Sequence, residues 1–160
     1  MWCPDYRNGL VDLLPDSLIQ NFLNGGNFYY YIVYPALFSE QYRQWWQDRM
    51  DDKTLSPELT CLILRLCACS ALFPTPDIRA TIEIELDEKP LTLSQRFQAA
   101  AEKLSATIPP GRGGVVQVQQ VFLSAFWYKV EARWTESWHA LATAIHKAQE
   151  IGMEILSVSL

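Results

Sequence analysis

Between Ser56 and Phe73 the chain reads SPELTCLILRLCACSALF, opened by a serine and a proline and followed by Pro74 and Pro76. A serine hydroxyl satisfies one of the loose N–H groups at a helix start, and proline fits the first helical position, so a helix begins here. Leu59, Leu62, Ile63, Leu66, Cys67, Ser70 and Ala71 recur at three-and-four spacing along one stripe, while Cys61, Leu64 and Ala68 make the other faces apolar too. Such a helix must be surrounded by others, which makes it the expected centre of its domain. Its longest apolar run, Leu59 to Phe73, is 15 residues long and contains Arg65, short of the roughly 20 residues a membrane span needs.

The rest of the chain supplies the expected neighbours. Residues 1–12 carry no periodicity and read as a loose N-terminal segment. Pro15 and Asp16 open an amphipathic stretch with Leu18, Ile19, Phe22 and Leu23, which Asn24-Gly25-Gly26 should end. Phe28 to Tyr34 fits helix or strand on pattern alone, and Pro35 should stop it. Ser39 to Met50 forms a further helix with Tyr42, Trp45 and Trp46, broken by Asp51-Asp52-Lys53. Residues 81–86 alternate strictly and read as an extended loop or a short strand, with the loop favoured because a lone strand is marginal. Thr92 and Gln95 form a capping-box pair before Phe97, Ala100, Ala101 and Leu104.

Gly111, Gly113 and Gly114 then make a turn into a helical hairpin. Its first helix carries Val118, Val121, Phe122, Ala125 and Phe126 on one stripe; its second carries Trp138, Leu141, Ala142, Ile145 and Ala148, and Gly152 stands where it should stop. Small Ala142, Ala144 and Ala148 allow a close helix neighbour. The expected fold is all-α, an irregular bundle of antiparallel helix pairs.

Reactive constellations are weak. Cys67 and Cys69 lie about 200° apart around a helix and cannot hold one ion. His139 and His146, seven residues apart on one helix, are separated by about 10 Å along the axis, too far to share a metal that sits roughly 2 Å from each ligand. Glu83, Glu85, Asp87 and Glu88 lack the ligand alternation and central glycine of a calcium loop. The glycine turn has no preceding strand and no Lys-Ser/Thr pair, so it is no phosphate cradle. The expectation is a non-enzyme without metal or cofactor. A net charge of -5 with scattered Lys and Arg argues against a grip on nucleic-acid phosphates. Cys3, Cys61, Cys67 and Cys69 suit a reducing, intracellular setting, and no secretory signal opens the chain. The aromatics are left as candidates for contact: Trp45, Trp46, Trp127, Tyr128, Trp134 and Trp138 form the candidate interaction surface, against the alternative that large rings fill the core.

Three blocks carry a resemblance. The segment VQVQQVFLSAFWYKVEARWTESWHALATAIHKAQEIGM, with Ala144, Ile145, Ala148, Gln149 and Gly152 in the pattern Ala-Ile-x-x-Ala-Gln-x-x-Gly, resembles the start of the regulatory or middle homology domain of fungal zinc-cluster transcription factors. FYYYIVYPALFSEQYRQWW and SPELTCLILRLCACSALF are similar to earlier parts of the same domain, in the same order, and the resemblance implies a helix for Phe28 to Tyr34. The resemblance implies a nuclear, regulatory portion of a transcription factor at residues 13–153. It would act by packing against other regions of the regulator or a protein partner, with no direct nucleic-acid contact and no membrane. The six clustered cysteines of a zinc cluster are absent from this sequence, and residues 154–160 depart from the family pattern. The chain is therefore expected to be a shortened form of a larger domain, with bare apolar surface that favours self-association. The alternatives are an all-α small-ligand-binding protein or enzyme, and a helical-repeat scaffold.

Overall fold

The computed structural model describes residues 13–27 and 31–152. Among them the regular structure is helical throughout: α1 (Leu13–Asn21), a π-helical turn (Phe22–Gly26), α2 (Pro35–Met50), α3 (Pro57–Leu72), α4 (Pro76–Glu85), α5 (Pro90–Ser105), α6 (Gly114–Val130) and α7 (Trp134–Glu150). Four of these helices, α2 to α5, open on a proline, where the missing N–H costs nothing because no intrahelical acceptor exists for it. Ser56 caps α3 by accepting from Leu59 N at 3.2 Å, and Thr75 caps α4 by accepting from Ile78 N at 3.4 Å. A cap of this kind contributes about 1 kcal/mol.

α3 is the axle of the bundle. Every residue from Thr60 to Ala71 is buried, and α1, α2, α5 and α6 all pack against it. Small groups let α5 come close: the Ser94 hydroxyl donates to the Ala68 carbonyl at 2.6 Å, and the Cys61 thiol points to the Ala101 carbonyl at 3.7 Å. Leu62, Leu66, Ile82, Leu93, Leu123 and Trp127 join one core cluster around α3. α7 lies on the outside, packed on α6. No single described helix is long and apolar enough to cross a membrane.

Several boundaries differ from the sequence expectation, each for a local reason. The segment expected as extended at 81–86 is the C-terminal half of α4: Ile78 and Ile82, four apart, are buried, whereas Ile84 is 80% exposed. The alternation misleads because its period-two partner faces water. Pro35 and Pro76 start helices instead of only ending what precedes them. Pro90, not Thr92, sets the start of α5, and no side-chain cap is formed there. Asn24-Gly25-Gly26 does not break the backbone but carries it through the π-helical turn.

Of the aromatic run, Phe28 to Tyr30 lie outside the described residues, and residues 31–34 are not helical. Tyr31 takes a positive φ of 46°. The Asn27 side chain clasps Val33 from both sides, donating to its carbonyl at 2.9 Å and accepting from its N–H at 3.2 Å. Gly113 is needed at the mouth of α6. Its φ is +94°, and a Cβ there would lie 2.5 Å from Glu58 Cγ and 2.7 Å from Gln117 Cβ.

Candidate functional site

The six candidate aromatics divide between core and surface. Trp127 is buried, and its indole donates to Ser94 Oγ at 2.8 Å, so the ring ties α6 to α5. Trp45 is buried as well and donates to Thr60 Oγ1 at 2.9 Å, which ties α2 to α3. Tyr128 and Trp46 are half-buried. The Tyr128 hydroxyl donates to Glu102 Oε1 at 3.1 Å, and burial, with the neighbouring Glu102 charge, pushes its phenol above the usual range. Trp134 and Trp138 are different: they are 57% and 70% exposed.

Those two belong to α7, whose geometry explains the difference. Trp134, Trp138, Leu141 and Ile145 follow one another at four, three and four residues, which aligns them on one stripe about 17 Å long. Ala144, the residue of α7 that is fully buried, lies roughly 100° away around the helix and meets α6. The stripe expected to face the core through Trp138, Ala142 and Ile145 is therefore turned outward. In α6 the expected stripe is buried at Val121 and Ala125 and half-buried at Val118, Phe122 and Phe126, while Gln117, Gln120 and Ser124 are buried beside it. Charged side chains of α7, Glu136 and Lys147 among them, fall on the side opposite the Trp stripe. The hairpin joint is fixed by Arg133, which pairs with Glu136 at 2.9 Å and lies 4.7 Å from the Tyr128 ring centre.

The buried glutamines lead to a polar network that the sequence reading missed. Arg65, 2% exposed, donates through Nε to Gln120 Oε1 at 2.8 Å and through Nη1 to Glu102 Oε1 at 3.2 Å. Gln120 donates onward to Gln117 and Ser105, and Ser124 donates to Glu102. The available signal was Arg65 itself, a cation within an apolar helix that has to find an acceptor on its neighbours. A charge locked in this way holds α3, α5 and α6 in register and is not poised for chemistry.

The nucleophile candidates are equally closed. Burial raises the Cys61 thiol to about 11 and the Cys69 thiol to about 12, and pushes Cys67 up further. A thiol held neutral is a poor nucleophile. Cys3 lies outside the described residues. His139 and His146 are exposed, the latter 3.7 Å from Glu150. Glu83 pairs with Arg79, and Glu88 with Arg96 at 2.7 Å. Among the described residues no group of three His, Cys, Asp or Glu is placed to hold a metal ion.

The described body is thus helical, with an exposed aromatic stripe on α7. The chain is similar to a transcription factor. Over 156 residues, 93% of its length, it is 30% identical to the probable transcription factor sol4 of Alternaria solani. It spans 28% of the length of that relative. No family model matches the chain, and no solved structure matches it significantly.

Proposed function

We propose that this chain is the regulatory, non-DNA-contacting portion of a nuclear fungal transcription factor of the zinc-cluster type, and that it works by docking another helix of the regulator on the outer face of α7. The observation that carries the reading is the pair Trp134 and Trp138, 57% and 70% exposed on an uncharged stripe. Two tryptophans together offer about 300–500 Å² of ring surface, the scale of an interaction patch and not of a scattered surface residue. The similarity to sol4 supports a transcriptional role, and 28% coverage of that relative leaves ample polypeptide in such a regulator to supply the helix. The net charge of -5 speaks against this stretch gripping DNA.

The test uses a regulator that carries this stretch together with a reporter gene under its control. Trp134→Ser combined with Trp138→Ser should change reporter output several-fold at an unchanged protein level, and should leave the melting temperature of the isolated stretch as it was. Unchanged output, or a mobility shift of DNA by the isolated stretch at physiological salt, would overturn the proposal.

A further inference from the structure

The exposed arc of α7 is made of Trp134, Trp138, Ala142, Ile145 and Gln149, with Leu141 half-buried at its edge. Ile145 is 40% exposed, and Trp134 and Trp138 more so. At about 100° per residue, Trp138 and Ile145 lie within about 20° of each other on the centre line of the arc, and Leu141 and Ala142 flank that line on either side. The two rings occupy the N-terminal half and the smaller side chains the C-terminal half. None of these residues carries a charge. α6 meets α7 around Ala144, roughly 100° away around the helix, and so does not obstruct the arc.

A helix that carries this same face fits it in one sense only. Run antiparallel about a two-fold axis between Leu141 and Ala142, Trp138 of each copy stands opposite Ile145 of the other, Trp134 opposite Gln149, and Leu141 opposite Ala142. Every large side chain then meets a smaller one, and each match is made twice. Run parallel, ring would crowd ring while the smaller side chains faced each other across a gap. The antiparallel sense also sets the positive end of each helix beside the negative end of the other. A face with charges of one sign repels its own copy, and this one bears none. The exposed parts of the two rings, Ile145 and their small neighbours come to about 400–500 Å² per copy, or about 800–1,000 Å² in all, the size of a transient interface and not of an obligate one.

We infer, resting on the docking reading of this face, that the helix α7 receives is α7 of a second copy of the same chain, paired antiparallel about that axis. An interface of this size is weak and reversible, with a dissociation constant above about 1 µM. The chain is therefore monomeric when dilute and pairs where copies are concentrated.

Sedimentation equilibrium of the full chain, from about 1 to about 500 µM, is the direct test. The weight-average mass should climb from 18.4 kDa towards twice that value. Trp138→Lys and Ile145→Glu, both at exposed positions, should each stay monomeric with unchanged circular dichroism, because each sets two charges against apolar side chains. Mixed in equal amounts, the two variants should associate at least tenfold more tightly than either alone. The introduced ammonium and carboxylate then face each other at one of the two contacts between positions 138 and 145, and the other contact is intact. A parent chain that stays monomeric throughout, or a mixture no tighter than its components, would overturn the pairing. The docking reading is decided separately by the reporter: output that still responds to the double serine variant, beside a monomeric chain, would mean that α7 receives a different helix.

Discussion

α3 and α7 are nearly the same length and both carry broad apolar faces, yet one is enclosed and the other half bare. In α3 apolar residues point in every direction, and helices cover them all; its buried charge, Arg65, is matched by Gln120 and Glu102. In α7 the apolar arc is wide, and α6 takes only the part around Ala144. The difference teaches that a hydrophobic stripe specifies a contact without saying which molecule supplies it. Burial in α3 stabilises the fold, while the exposed stripe of α7 adds little to it.

The contrast breaks most visibly if matched truncations behave alike. Leu66→Ala should cost about 2–5 kcal/mol of stability by opening a cavity beside the core cluster, whereas Trp138→Ala should stay within about 0.5 kcal/mol in the isolated chain. Urea titrations of the two variants would measure this, and equal losses would mean that α7 is covered within the chain after all. Arg65→Ala comes next. It strands the Gln120 carbonyl in the core and should cost about 1–3 kcal/mol, while Arg133→Ala, whose Glu136 partner is exposed, should cost much less. A smaller and more gradual effect follows from the thiols of α3. Unfolded cysteines lose their protons near pH 8.5, whereas the folded Cys61 and Cys69 hold theirs to about 11 and 12. Their contribution is therefore complete below about pH 8.5 and is lost as pH rises through those folded values. Stability measured across that window should fall, and a Cys61→Ala, Cys69→Ala variant should flatten the decline.

The centre of the fold was readable because Ser56-Pro57 and the all-round apolar pattern of α3 point to the same element. The hairpin was equally readable in its Gly113 entry and Gly152 exit. Misreadings cluster where one local signal serves two ends: Pro35, Pro76 and Pro90 open helices, and a proline on the page marks a boundary without its direction. The stretch around Ile82, Ile84 and Leu86 alternates by coincidence, and only the Thr75-Pro76 start, well upstream of Leu86, discloses the helix. Trp45 and Trp46 are adjacent in sequence, yet the first is buried and the second half-buried, because helical rotation of about 100° separates them. The split between buried Trp127 and exposed Trp138 was not readable, since it depends on how α7 rolls against α6.

Ser94 carries a consequence of its own. Its single proton is committed to the Ala68 carbonyl and its lone pair to the Trp127 indole, with the side chain 0% exposed. Alanine would fit the space but abandon both partners; threonine would keep both and add a methyl to a site that is 0% exposed. The position therefore admits almost one letter of the alphabet, and tolerance of change elsewhere in the bundle should drop sharply there.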